Sequence, residues 1–461
     1  MKLRKELSLV DGISALLDWD QQTYMPEAGG EWRAKQIEYI AVLRHKLLLD
    51  PALKKEAESE SDPVNKEGVL REIERASKLP LDFVARKSKA SSTAFQVWQK
   101  AKPQGEFALV APHLEELVEL AREEADLRGY SKDPYDALLD QYEWGGEVEW
   151  VEPILKELLF NVKVNPSSRK RFPMKVSEQQ KLCLMVMEKL GLSLASSRLD
   201  TSSHPFCTTI GYGDYRITTR YDENDLFSAL LSTLHESGHC LYEAGLSKEN
   251  RGLPRGEAVS LGVHESQSRF YENIIGRSKE FSEFLSSLIK IDKDEIYQEV
   301  NYVEPSLIRV EADEVTYSVH VVIRFLLELA LIKGELKVRD LPSAWNELYR
   351  KYLGVEPLSD RDGVLQDVHW YSGAFGYFPT YVLGNIYGGM LLRKIKQDIG
   401  NFDELIRSGD FLPINKWFKE NIYKFGSEFK PRELIELVTG EKISSRPFIE
   451  YLSSKHAFLK V

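Results

Sequence analysis

Cysteine is scarce in this chain, with only Cys183, Cys207 and Cys240 among 461 residues and no Cys-x-x-Cys pair. A disulfide framework and a cysteine-held zinc site are excluded, and a reducing cytoplasm is the expected compartment. An excess of basic charge is missing too. Lys+Arg 61 against Asp+Glu 72 leaves a formal charge of -11, the opposite of the clustered positive surface that nucleic-acid binding needs. Long apolar runs are also absent from the chain's start. The opening MKLRKELSLVDGISALLDWD is broken by Asp11, Gly12, Asp18 and Asp20 before an uncharged core of signal-peptide or membrane-span length can form. The reading is a soluble, unsecreted, cytoplasmic protein with no nucleic-acid and no membrane partner. No tandem repeat, low-complexity tract or Pro/Gly/Ser linker divides it. With hydrophobic residues at 43%, the length is read as one body over 1–461, with an N-terminal helical lobe over about 1–130 that is not an independent domain.

What is present is helix after helix. Apolar residues recur near 3.6-residue spacing over Arg33 to Asp50, Glu106 to Arg128, Val176 to Leu192, Leu226 to Ala244, Ala258 to Ile275 and Ile308 to Lys333. This predicts a mainly α fold. One interval departs from the pattern: Phe206 to Tyr221, FCTTIGYGDYRITTRY, sets β-branched and aromatic residues around Gly211-Tyr212-Gly213. That is a hairpin signal, and a small sheet just before a helix is either plain scaffolding or an edge that holds an extended peptide.

Histidine is the last scarcity, with nine in all, so two at close spacing carry information. His235-Glu236-Ser237-Gly238-His239 lies within the stretch read as a helix over Leu226 to Ala244. Chance would supply this pattern about 0.03 times in a chain of this composition. Residues four apart share a helix face, so both imidazoles can reach one ion while Glu236 contacts a metal-bound water as general base. The competing reading is a buried histidine pair with Glu236 in a salt bridge. Gly238 counts against it, because glycine in mid-helix costs ~1 kcal/mol relative to alanine and so calls for close approach of another backbone or of substrate.

A catalytic zinc needs a third protein ligand and an open position. The metzincin extension would place Gly at 242 and His at 245, where Tyr242 and Gly245 stand, so that class is excluded. Glu265, in His264-Glu265-Ser266-Gln267 on the stretch Ala258 to Ile275, is the favoured ligand and completes a His2Glu, or gluzincin, set. His264 competes and Glu243 is a poorer choice; for His264 a hydrogen bond to a ligand is the plainer role.

These residues and five further motifs resemble the thermostable carboxypeptidase Taq family of zinc-dependent metallocarboxypeptidases. The motifs are Leu17-Asp-Trp19-Asp-Gln-Gln-Thr-Tyr-Met-Pro26 followed by Arg33; His204-Pro205-Phe206 with Asp214-Tyr-Arg216-Ile-Thr218; His264-Glu-Ser-Gln267; Ile308-Arg309-Val-Glu-Ala-Asp313; and Gly363-Val-Leu-Gln-Asp-Val-His369-Trp370. The resemblance covers most of the chain. It implies a large helical body similar to neurolysin and angiotensin-converting enzyme, with a long substrate groove and a small β-sheet beside the zinc helix. It further implies a homodimer, with His235, His239 and Glu265 on the metal and Glu236 as base. The activity it implies is release of single C-terminal residues from peptides with broad specificity, for which a cation must capture the terminal carboxylate. Arg309 is the first choice and Arg216 the second, and each has a structural alternative in pairing with Asp313 or Asp214. His369 is the leading oxyanion donor, Tyr377 and Tyr381 are further donors by analogy with related helical peptidases, and His204 positions substrate. The strand Asp214 to Tyr221 would align the peptide by strand addition. Zinc is the expected metal, with cobalt or another divalent ion as substitutes.

Two other readings stand beside this one. An oligopeptidase or dipeptidyl carboxypeptidase would use the same zinc site, and a helical binding or chaperone-like protein would carry a structural or degenerate one. Intact Glu236 argues against degeneracy.

Overall fold

A computed structural model describes residues 1–159 and 169–456. Among these residues the chain forms twenty α-helices and one three-stranded sheet. The mainly α expectation holds, and most of the predicted helices appear within a few residues of their expected ends.

Two clusters of buried apolar side chains organise the molecule. The small one, Leu7, Leu48, Leu53, Ala57 and Val69, joins α1 (Lys2–Thr23), α2 (Gly30–Leu48), α3 (Pro51–Glu58) and α4 (Pro63–Ser77). The large one begins with Phe83 and runs to Leu452. It therefore takes in α5 (Leu81–Gln104) and α6 (Phe107–Arg128).

The sheet has the order β1-β3-β2, with β1 Ser197–Thr201, β2 Cys207–Gly211 and β3 Asp214–Thr219. β2 and β3 form the expected hairpin, paired antiparallel with a register shift between Thr209 and Gly211. β1 pairs in parallel on the other side of β3. This corrects one expectation: β3 has a neighbour on both edges, so its backbone is already paired and cannot receive a peptide by strand addition. Tyr215, Ile217 and Thr219 are buried on one face of β3, where Thr219 Oγ1 donates to Ala229 O. Arg216 alternates onto the other face.

Three helices build the centre. The signature helix Leu226–Gly245 is capped by Asp225, whose side chain accepts from Ser228 N. The ligand helix Leu261–Arg269 is capped by Ser260 and runs on as a π-helical turn, Phe270–Ile275. The tyrosine helix Phe378–Asp398 lies on its far side. Two glycines permit this stacking. A Cβ on Gly238 would lie 2.5 Å from Gln267 O and 2.7 Å from Ser268 Cα, so the mid-helix glycine answers to close approach of the ligand helix. A Cβ on Gly384 of the tyrosine helix would lie 2.6 Å from Glu265 Cγ.

Among the described residues one helix, Glu314–Lys333, is long and apolar enough to cross a membrane, and 89% of its apolar window is buried inside the fold. It starts six residues later than the periodicity suggested. Asp313 accepts from Val315 N and Thr316 N as the N-cap, and Arg309–Glu311 before it form a short 3-10 turn.

Candidate metal centre

One ligand atom from each of His235, His239 and Glu265 falls within 4.8 Å of the others. The i, i+4 spacing puts the two imidazoles on one side of the signature helix. Glu265 Oε2 lies 3.7 Å from His235 Nε2 and 3.5 Å from His239 Nε2. Two imidazole nitrogens and a carboxylate oxygen are a donor set suited to a divalent transition ion.

The surroundings aim these atoms inward. His235 Nδ1 donates to Glu272 Oε2 at 2.8 Å, leaving Nε2 for an ion. Arg269 Nε donates to Glu265 Oε1 at 2.7 Å and its Nη1 to Glu272 Oε2 at 3.1 Å, so one guanidinium holds both carboxylates. Ser268 Oγ adds a bond to Glu265 Oε2. Burial opposes charge on Glu265, but Arg269 and His235 outweigh it and keep this carboxyl far below its ordinary range. Burial pulls both imidazoles down. His235 nevertheless ends at about 8 because of Glu265 and Glu272, whereas His239, which also faces His264, ends at about 3. Glu236 is 6% exposed, and burial lifts it to about 7.

A second cluster surrounds His369. Its Nε2 lies 3.3 Å from Tyr381 OH, and its ring centroid is 4.5 Å from Phe378 and 5.5 Å from Tyr377. Burial, with Arg309 and Arg324 nearby, lowers His369 to about 4 despite Asp367, so the ring is neutral near pH 7. Arg309 donates to Asp367 Oδ1 through Nε and Nη2 at 3.0 and 2.7 Å. Arg324 donates to Asp367 Oδ2 at 2.5 Å. Arg309 thus pairs with Asp367 rather than with Asp313, which serves as a helix cap. Tyr317 links the two clusters: Arg309 Nη1 reaches its hydroxyl at 3.3 Å, and Arg269 stacks 4.0 Å from its ring.

The remaining sequence candidates belong to the small sheet and its loops. Arg216 pairs with Asp214 at 2.8 Å through both Nε and Nη2 and stacks 4.2 Å over Trp19. Arg198 lies over the same ring, and Tyr24 OH donates to Asp200. The N-terminal motif therefore seats α1 on the sheet. His204 is exposed between β1 and β2, its carbonyl accepting from Ser202 Oγ. Sequence reasoning missed Arg269, Glu272, Tyr317 and Arg324. Arg269 and Glu272 stand four and seven residues after Glu265, a helical-face spacing that would have found them once Glu265 was taken as a ligand.

The model of the carboxypeptidase Taq (M32) metallopeptidase family matches residues 1–456. Thermostable carboxypeptidase 1 of Thermus thermophilus is 41% identical, over 100% of this chain and 98% of that protein. Carboxypeptidase 1 of Bacillus subtilis is 37% identical, over 99% of this chain and 97% of its own length. The crystal structure of the M32 carboxypeptidase from Deinococcus radiodurans superposes with a TM-score of 0.95 at 34% identity, covering 99% of this chain and 98% of the other.

Proposed function

The chain belongs to the carboxypeptidase Taq family of metallopeptidases, and on that premise we propose that it is a zinc-dependent carboxypeptidase releasing single C-terminal residues from peptides with broad specificity. One observation carries this reading: His235, His239 and Glu265 converge on a single point with Glu236 next in sequence to the first of them. These three residues would hold the cation, with cobalt or another divalent ion as substitutes for zinc. When bound, such an ion polarises the scissile carbonyl and acidifies an attacking water.

The chain's own groups complete the chemistry. Glu236 takes the proton of the attacking water and returns it to the leaving amine. His369 is the first donor to the developing oxyanion, with Tyr381 and Tyr377 beside it. Arg309 captures the terminal carboxylate. Charge counting favours it over Arg216: two guanidinia, Arg309 and Arg324, share the single carboxylate of Asp367, which leaves one positive charge over, whereas Arg216 is matched one to one by Asp214. His204 contributes to substrate positioning from the β1–β2 loop. The reading includes a neurolysin-like and angiotensin-converting-enzyme-like body with a long groove for the peptide, a cytoplasmic location and a homodimeric state.

Digestion of an unblocked peptide tests the reading. Mass spectrometry is expected to show loss of one residue per step, abolished by a chelator. The C-terminally amidated peptide is expected to resist. Equal cleavage of the amide would remove the carboxylate-capture role, and loss of two residues at a time would point to the dipeptidyl carboxypeptidase alternative, which the family assignment does not favour.

A further inference from the structure

We propose that Glu243 and His264 form a relay that fixes which ring nitrogen of His239 faces the metal, and that both are positioning residues for the ion. The inference rests on the reading that His235, His239 and Glu265 hold that ion. Glu243 stands one turn beyond His239 on the signature helix, and His264 directly precedes Glu265 on the ligand helix. His264 Nε2 lies 2.8 Å from Glu243 Oε1, and His264 Nδ1 lies 2.5 Å from His239 Nδ1.

The hydrogens follow from what each group can do. An ionised carboxylate only accepts, so the hydrogen between Glu243 and His264 sits on His264 Nε2. A neutral imidazole has one N–H, so His264 Nδ1 is then an acceptor. The hydrogen on the shared histidine contact therefore belongs to His239 Nδ1. His239 Nε2 keeps its lone pair, and it is this nitrogen that faces Glu265 at 3.5 Å. Were the relay reversed, the hydrogen would point into the metal position and the ligand would be lost.

The two imidazoles are thus set by different routes. Glu272 orients His235 in one step. His239 is reached only through His264, which crosses from the ligand helix to meet a carboxylate on His239's own helix. Tyr242 walls the bridging ring at a centroid distance of 5.1 Å, and its hydroxyl accepts from Val259 N, just before the ligand helix begins. Partners outside the ligand set act on affinity through orientation and tautomer, with losses of 10–100-fold on their removal.

The test is zinc affinity of the full-length protein, stripped by dialysis against a chelator and titrated with Zn2+ against a competing chelator. His264→Phe removes the acceptor and is expected to weaken zinc binding by about 10–100-fold. His264→Asn, whose Oδ1 stands where Nδ1 stood, is expected to restore most of that loss, which a merely structural role for the ring would not produce. His239→Ala separates the ligand assignment from the relay. If it binds zinc as tightly as the unaltered protein, the ligand assignment fails. If it does not but His264→Phe does, the relay is overturned. Should His264→Phe not fold, long-range 15N–1H imidazole spectra of the unaltered zinc-loaded protein decide: a hydrogen on His239 Nδ1 supports the relay, and one on Nε2 overturns it.

Discussion

Two buried glutamates show how one physical cause serves different ends. Burial lifts both Glu236 and Glu328 to about 7. Glu236 stands beside the ligand set, and Glu236→Gln is expected to leave the metal content of the purified protein unchanged while kcat falls by about 10²–10⁴. Metal analysis run with steady-state assays on the same preparation checks this, and unchanged hydrolysis would remove Glu236 from the mechanism. Glu328 instead holds the loop that carries His369. It accepts from Trp370 Nε1 at 3.0 Å, from Tyr135 OH at 3.2 Å and from Gly376 N. Its pKa is raised on folding from an ordinary 4.5, so the folded state binds its proton more tightly than the unfolded state does. The stabilisation is complete below pH 4.5 and is lost as pH rises through about 7. Gln does not titrate, and the cost of turning its amide N–H toward Trp370 Nε1–H or Gly376 N–H is the same at every pH. The stability of Glu328→Gln relative to the unaltered protein is therefore expected to improve by about 3 kcal/mol between pH 4.5 and pH 7.5. Urea unfolding at the two pH values measures it, and a difference independent of pH would contradict the shift.

Legibility also divides at the level of elements. The signature helix was readable because its two histidines repeat at four residues inside one apolar run, and the hairpin because glycines punctuate β-branched residues. β1 was not readable. Its sequence, Ser-Arg-Leu-Asp-Thr, lacks an alternating apolar face, and its partner β3 supplies the reason for it to be a strand. The pairing of Arg309 with Asp367 crosses 58 positions, which no local pattern encodes. The π-helical turn Phe270–Ile275 after the ligand helix likewise follows from packing, since periodicity alone read Ala258 to Ile275 as one continuous helix. What sequence did signal was the anomaly at Gly238. Its substitution is an element-scale test: Gly238→Ala pushes a methyl against Gln267 O and Ser268 Cα, atoms of backbone that cannot step aside. The ligand helix must shift, taking Glu265 with it. A destabilisation of about 1–3 kcal/mol is expected from overpacking, together with a lower affinity for a divalent metal than that of the unaltered protein. Intrinsic helix propensity predicts the opposite sign, since alanine exceeds glycine by ~1 kcal/mol in a helix interior. A thermal melt separates the two.

At the scale of the molecule, the two apolar clusters are unequal, and the joint between them is polar. Five buried side chains make the N-terminal core, while the large cluster contains the signature, ligand and tyrosine helices. Across the joint, Arg4 reaches Glu257 and also Glu72 within its own lobe. Arg255 pairs with Asp62 at 2.7 Å and with Glu428 at 2.8 Å, and Asn65 Oδ1 accepts from Arg255 N. The Arg255 pairs are partly exposed and contribute about 0–1 kcal/mol each. Arg4 is different, being only 3% exposed, and hydrogen bonds to a charged group of this kind are worth about 1.5–3 kcal/mol. A small core with few buried contacts opens at a lower free energy than a large one. Amides of α3 and α4 are therefore expected to exchange hydrogen faster than those of the signature helix. Arg4→Met removes the buried link and is expected to speed exchange in α3 and α4 by about 10–100-fold, the kinetic equivalent of that hydrogen-bond energy. Exchange in Leu226–Gly245 should not change, because its protection comes from a core that Arg4 does not enter. Hydrogen exchange read by mass spectrometry resolves these segments. Equal acceleration in both would mean that the N-terminal helices and the metal-bearing body unfold as one cooperative unit, and the polar joint would then be no boundary at all.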